Sequence, residues 1–340
     1  MFNNALVTVL MSVYNCRQTI SRTIDSILNQ TFENFEFLII DDCSDDDTYS
    51  VIKGYNDKRI RLIRNEKNLG LTKSLNYGLA KSNGKYIARI DGDDFSSPER
   101  LEKQVLFLKS NMDFVLIGTS YNILDSNYNV VKTVNYSFSP EKLFYDLIFQ
   151  NMLAHSSAMF LKEKVLKVGG YNENYFYAQD YDLWSRLSFL GKIYVLPEVL
   201  TSWVNKANNI SSMNFEQQNE VSFEIFQQNL RRFNLEEKLI YSALYFHNFY
   251  DYNYLKIPDK IFYETLKNFL KINDYIIQYA PYFYNKDILS AEILSTFLEI
   301  LKNFYKKRSK TKVINFLIKN IFNYKITGAI FSKLLKKFKL

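Results

Sequence analysis

Between residues 5 and 110, strand-like apolar runs alternate with amphipathic helical patterns, and no other feature limits the fold of this chain so strongly. "ALVTVLMSVYN" is an apolar run that closes on polar residues. "FEFLIIDD" ends in acids, and "RIRLIRN" and "KYIARID" supply a third and a fourth run. Between them, "RQTISRTIDSILNQ" puts Ile20, Ile24, Ile27 and Leu28 on one helical face, and "LTKSLNYGLAKSNG" aligns Leu71, Leu75 and Leu79, with Gly84 as the predicted stop. Pro98 opens a further helix, "PERLEKQVLFLKS", where its missing N–H is tolerated. Repeated β-α-β units of this spacing predict an α/β fold, a mostly parallel sheet with helices on both faces. From about 120 to 205, short strands ("NVVKTV", "SSAMFL", "KIYVLP", "LTSWV") mix with two helices. One helix begins near Gln179, with Leu183, Leu187 and Leu190 as its stripe and Gly191 as its stop. Strand signals cease beyond Asn214, so residues 1–214 are expected to form one domain and 215–340 a helical region.

Open sheets of this kind bind ligands beyond the carboxyl ends of their strands. Three strands deliver polar clusters there: Ser12 to Asn15, Asp41-Asp42 and Asp91-Gly92-Asp93. Neither a dinucleotide fingerprint nor a P-loop follows any strand. Asp91 and Asp93 flank a glycine that would permit an unusual backbone angle, so a sharp turn could aim both carboxylates at one small volume. Such oxygen ligands suit Mg²⁺ or Mn²⁺ with substrate phosphates; the alternative is a solvated acidic turn that caps the Pro98 helix. Asp42 at its strand end could accept an N–H of a pyrimidine, with Tyr14 as a flat surface. Most acids of "DDCSDDDT" instead favour the start of the next helix. Asp180, in the first turn of its helix, is either a capping acid or a general base for a hydroxyl. His155 reads as structural, and with two histidines in the chain no Ser-His-Asp or Cys-His pairing emerges.

The net charge of +7 conceals an asymmetry. After Glu299 there are twelve Lys or Arg and no acid, which leaves residues 1–299 with 31 basic against 36 acidic side chains, a net of −5. Basicity is therefore local, which argues against nucleic acid as the partner of the whole chain. The basic end, about 313–340, interleaves Lys with Ile, Leu and Phe. It reads as a helix lying on an anionic membrane surface, or as a helix packed on the protein with solvated lysines. Two cysteines, no signal-peptide pattern at the start and no apolar run of about 18 residues point to a cytoplasmic protein, peripheral on the inner face of the plasma membrane at most.

The segments "VTVLMSVYN", "SILNQTFENFEFLIIDDCSDDDT", "NLGLTKSLNYGL", "GKYIARIDGDDFSSPERL", "HSSAMF", "GGYNENYFYAQDYDLWSRL" and "NNIS" occur in an order and spacing that resembles the inverting glycosyltransferases of family 2, which have the GT-A fold. The resemblance covers roughly residues 5–212. It implies a nucleotide-diphosphate sugar as donor, most often a uridine one, and a glycan or lipid-linked saccharide as acceptor in surface-polysaccharide synthesis. By position it implies Ser12 and Tyr14 at the base and ribose, Asp42 at the uracil ring, and Asp91 at the ribose or a metal-bound water. Asp93 would bind the Mn²⁺ or Mg²⁺ that bridges the diphosphate, and Asp180 would be the catalytic base. The chain departs from the family at Gln179, where a Glu is common, and at Lys206, which falls at a histidine position and could pair with the diphosphate as a point charge. Two alternatives stay open. A sugar-1-phosphate nucleotidylyltransferase would want a glycine-rich phosphate loop after the first strand, and "MSVYNCRQTI" has no glycine. A non-catalytic sugar-nucleotide or glycan-binding relative is disfavoured by the presence of Asp93 and Asp180.

Overall fold

The computed structural model describes residues 5–205, 215–243 and 259–307. The chain divides into two compact units, one formed by residues up to Leu147 together with Asn151–Ile225, the other by Ile148–Gln150 and the residues from Phe226 onward.

The first unit is built on a mixed sheet. Strands β1 (Val7–Val13), β2 (Phe35–Asp41), β3 (Ile60–Arg64) and β4 (Tyr86–Arg89) pair in parallel in the order β3-β2-β1-β4. Every residue of β1, β2 and β4 is buried, as strands covered on both faces require. Helix α1 (Ile20–Leu28) and helix α4 (Arg100–Ser110) bury Ile20, Ile24, Ile27, Leu101 and Val105 in one cluster with Val9, Met11, Phe37 and Ile39. Helix α3 (Leu71–Lys81) covers the opposite face, where Gly78 lets it approach Leu10 and Ile40. It ends at Lys81, three residues short of Gly84, and α4 begins two residues after Pro98. The short α2 (Thr48–Lys53) follows β2.

Beyond β4 the sheet becomes mixed. Its order continues β8 (Met159–Leu161), β6 (Phe114–Leu124), β9 (Lys192–Val204) and β5 (Phe95–Ser96), with β7 (Val130–Val134) paired to β6. β8 is antiparallel to both β4 and β6, whereas β9 runs parallel to β6. Two differences from the expected pattern have clear causes. The sequence pattern does not mark β6, although its 11 residues pair with three other strands. Its apolar start, "FVLIG", gives way to the polar "TSYN", which resembles a loop until β9 and β7 supply partners. "KIYVLP" and "LTSWV" are one strand, not two: the register against β6 jumps between Leu196↔Thr119 and Val199↔Ser120, so Pro197 and Glu198 bulge outward, exposed. Proline has no N–H for the ladder, and the bulge removes that demand.

Helices α5 (Pro140–Phe149), α6 (Lys162–Lys167) and α7 (Gln179–Leu187) complete the elements before 205. Leu183, Trp184 and Leu187 are fully buried, and the Trp184 ring lies 5.6 Å from that of Phe160 on β8. In the second unit, α8 (Phe215–Arg231) contributes its last turns, from Phe226 on, and is followed by α9 (Glu237–Ala243), α10 (Asp259–Tyr279) and α11 (Lys286–Lys307). Phe226, Phe269 and Phe149 gather there with ring centroids 5.7 and 5.8 Å from Phe149. Among the described residues no helix is long and apolar enough to cross a membrane. The basic segment 313–340 lies outside the described residues.

Candidate active site

The carboxyl ends of β1, β2 and β4 and the start of α7 border one cleft of about 1000 Å³ in the first unit. Ser12, Tyr14, Asp42, Asp91, Asp93 and Asp180 all line it; Lys206 falls outside the described residues. Three residues other than glycine with left-handed backbone stand beside it in sequence: Asn15 (φ 54°), Cys43 (φ 63°) and Ala178 (φ 53°). Asn tolerates that region, but Cys and Ala are strained there, a cost proteins concentrate at functional sites.

Asp42 is buried at the end of β2. Its Oδ1 accepts Asn65 Nδ2 at 2.7 Å and the Leu69 N–H at 2.9 Å, and its Oδ2 accepts the Gly70 N–H at 2.8 Å. Gly70 has φ +85°, which requires glycine, and it opens α3. A carboxylate offers about four acceptor positions, so these three donors do not exhaust it, and Asp42 lines the cleft. Tyr14 donates its hydroxyl to Asp45 Oδ2 at 2.8 Å and is 44% exposed, which leaves ring surface open to the cleft. Asp46 Oδ1 accepts both the N–H (2.9 Å) and the hydroxyl (2.5 Å) of Thr48, the helix-start role expected of this acidic run.

The "IDGDD" turn is not a solvated acidic turn. Asp94 is buried, and burial followed by repulsion from Asp91 and Asp93 holds its carboxyl well above the usual range. Asp91 is clamped at both oxygens, one by the buried guanidinium of Arg89 and the other by the Ser156 hydroxyl at 2.9 Å, while Ser156 Oγ also accepts the Asp91 N–H at 3.0 Å. Burial pushes the Asp91 carboxyl up, but Arg89 and Ser156 outweigh it and its pKa lies below the ordinary value. Gly92 does not have positive φ, contrary to the reason expected for it. Glycine is needed because a Cβ would stand 2.8 Å from Val13 Cγ1 and 3.2 Å from Cys16 Sγ, so the turn packs onto the end of β1.

These residues fit a divalent cation. Repulsion from Asp91 and Asp93 adds to the burial that raises Asp94, and a cation would offset that added repulsion. No cluster of three or more protein ligands occurs among the described residues, and a cation held by one or two carboxylates plus substrate phosphates needs none. Both Asp91 oxygens are held by groups of the protein, and Asp93 lines the same cleft.

Asp180 stands at the second position of α7, half-buried. Burial drives its pKa up, from 3.8 to about 6; the Tyr181 N–H (2.8 Å to Oδ1) and Asn151 Nδ2 (2.8 Å to Oδ2) act in the opposite direction, and Asp91 adds to the rise. A carboxyl poised near 6 is mostly ionised at neutral pH yet basic enough to take a hydroxyl proton. Asp182, two residues on, plays a structural part. It pairs with Arg186 at 2.5 Å, and Arg186 also donates to the carbonyls of Val168 and Gly170. His155 lines the cleft but is structural, as expected. Its Nε2 meets the Tyr171 hydroxyl at 2.8 Å and its ring packs edge-on to Trp184; burial, then Arg89, lowers its pKa to about 3, so the imidazole is neutral. Sequence reasoning missed Arg89, Ser156, Asn151 and Asn65, the groups that hold the site acids. Arg89 alone lies beside the acid it holds; Asn65, Asn151 and Ser156 stand 23, 29 and 65 residues from Asp42, Asp180 and Asp91 and carry no signal in the sequence.

The family described as Glycosyl transferase family 2 matches residues 8–169. An uncharacterized glycosyltransferase of Haemophilus influenzae is 31% identical over 328 residues, which span 90% of this chain and 98% of that protein. The chain belongs to glycosyl transferase family 2. Its enzymatic class is accordingly that of a glycosyltransferase. A UDP-Glc:alpha-D-GlcNAc-diphosphoundecaprenol beta-1,3-glucosyltransferase of Escherichia coli is 32% identical over 210 residues, 62% of this chain and 73% of that enzyme. Among solved structures, S. aureus TarS 1-349 in complex with UDP-GlcNAc superposes with a TM-score of 0.59 at 19% identity, covering 91% of this chain and 88% of that one. The mannosyltransferase PcManGT of Pyrobaculum calidifontis, in complex with GDP-Man and Mn²⁺, gives 0.52 at 15% identity over 94% and 88%. At these identities the structures speak for the fold, which is GT-A: a mixed α/β sheet with flanking helices, followed by a helical region.

Proposed function

We propose that this glycosyltransferase is metal-dependent and inverting, and that it moves a sugar from a UDP-linked donor to a hydroxyl of a glycan or lipid-linked acceptor in capsule, O-antigen or lipooligosaccharide synthesis. The observation that carries the reading is the presence, in one cleft, of an acidic turn suited to a diphosphate-bound cation and a separate carboxyl, Asp180, with a pKa of about 6. Asp42 accepts a base N–H and Tyr14 offers its ring, with Ser12 beside them at the end of β1. Asp93 holds Mn²⁺ or Mg²⁺, with Asp91 on the ribose side. When bound, the cation offsets the negative charge that grows on the leaving diphosphate. Asp180 takes the proton of the acceptor hydroxyl as its oxygen bonds to the anomeric carbon and the bond to the diphosphate oxygen breaks. Attack from the side opposite the diphosphate turns an α-linked donor into a β-glycoside. The E. coli relative, whose name states a UDP-Glc donor, a lipid-linked acceptor and a β product, supports the donor and acceptor classes. The Mn²⁺ in the PcManGT structure supports the metal.

The test is release of free UDP from a panel of UDP-sugars, with and without Mn²⁺, in wild type and Asp180→Asn. Metal-stimulated release that Asp180→Asn abolishes is expected; metal-independent release that survives the substitution would refute the assignment.

A further inference from the structure

Phe176 sits in the segment leading into α7, four residues before Asp180. Its ring is 74% exposed and yet lines the cleft. Its neighbours fix which part of the cleft it borders. A Cβ on Gly70 would stand 3.9 Å from Phe176 Cε1, so the ring lies against the residue whose N–H donates to Asp42. The segment is tied to α3 at this place: the Thr72 hydroxyl donates to the Tyr175 carbonyl at 3.0 Å, Asn76 Nδ2 donates to the Tyr171 carbonyl at 2.9 Å, and Asn76 Oδ1 accepts the Tyr171 N–H at 2.9 Å. Two residues before Gly70, the Asn68 side chain reaches the Tyr14 hydroxyl. The short run 68–70, which wraps the Asp42 carboxylate, thus has Tyr14 at one end and Phe176 at the other.

We propose that Phe176 is a second aromatic wall of the nucleobase pocket, on which the base of a nucleoside diphosphate lays one face while its edge reaches Asp42. The proposal rests on the donor reading given above and assigns to the base a residue that the sequence motifs do not mark. Apolar rings are used for base binding because every base has a flat π-face, and the contact survives without directional hydrogen bonds. Because Phe176 and Asp180 share one short segment, a seated base also holds the segment that presents the catalytic carboxyl. A ring this exposed leaves no cavity when truncated, so Phe176→Ala should fold normally.

Calorimetry with Mn²⁺ present, using UDP and, separately, inorganic pyrophosphate, tests the proposal on wild type, Phe176→Ala and Phe176→Tyr. Phe176→Ala should weaken UDP about tenfold, in the range seen when an aromatic ring beneath a base is removed. Phe176→Tyr should bind UDP like wild type, and pyrophosphate should bind all three proteins alike. Unchanged UDP affinity in Phe176→Ala overturns the proposal alone, as does an equal loss of UDP and pyrophosphate or a loss confined to the acceptor KM. A wild type that binds no UDP overturns the donor reading and this proposal together.

Discussion

Replacing Asp180 with asparagine should slow glycosyl transfer and stabilise the protein at the same pH. In the folded chain the Asp180 carboxyl is held at about 6 against an ordinary 3.8, chiefly by burial. The group is therefore easier to bury protonated than ionised. Its contribution to stability is fully present below pH 3.8 and is lost as pH rises through about 6. A shift of about two units corresponds to about 3 kcal/mol, and partial exposure reduces this to about 1–3 kcal/mol. Asparagine has no charge to bury and keeps the shape, and Asn151 can turn its amide to match. At about 2–4 °C per kcal/mol for a unit of this size, Asp180→Asn should melt about 2–12 °C higher than wild type at pH 8. The gain should shrink steadily between pH 6 and pH 4. Activity should fall by about 10²–10⁴, the usual worth of a general base. In wild type, kcat/KM should rise about tenfold per pH unit below 6 and level off above it, because the base must be ionised. Thermal melts of both proteins across pH 4–8, with UDP release measured alongside, decide the matter. A melting gain that is equal at pH 4 and pH 8, or an asparagine variant that retains full activity, would falsify the idea that one buried carboxyl is both costly and catalytic.

Further substitutions separate the roles around it. Asp93→Asn should abolish Mn²⁺ stimulation and weaken Mn²⁺ binding in the presence of UDP, with no loss in melting temperature; intact metal binding by calorimetry would remove Asp93 from the site. Ser156→Ala frees one oxygen of Asp91 from its clamp and should raise donor KM several-fold while metal-free stability falls by about 1 kcal/mol; an unchanged KM would show that Arg89 suffices. Glu36 is fully buried and accepts from Thr8 (2.6 Å) and from the backbone and side chain of Asn83 (2.5 and 2.8 Å), so Glu36→Ala should cost about 3–5 kcal/mol in urea unfolding while leaving donor KM unaltered in the folded fraction. Deleting 313–340 should release the protein from anionic vesicles in a flotation assay, and continued flotation would exclude that segment as the anchor.

Periodicity made the parallel half of the sheet legible, because β1, β2 and β4 are buried on both faces and their helices carry a single apolar stripe each. The antiparallel half was harder to read. β6 mixes apolar and polar residues because its neighbours differ along its length, and β9 conceals its continuity behind Pro197. The acids of the site stood out in the sequence because carboxylates at strand ends are conspicuous, and six of the seven candidates line one cleft. What holds those acids did not stand out, since Arg89, Ser156, Asn151 and Asn65 are ordinary residues until folding brings them within hydrogen-bond reach.

The sequence by itself determined that carboxylates and an aromatic ring end three neighbouring strands, and that another carboxylate opens a helix about ninety residues later. Only the tertiary structure decided how unequal those carboxylates are. Asp91 is held at one oxygen by Arg89 and at the other by Ser156, Asp94 is buried and raised, and Asp180 is desolvated to a pKa of about 6. Charge at a position is a property of the chain, but its solvation and its partners are properties of the fold, and these set what each carboxyl can do.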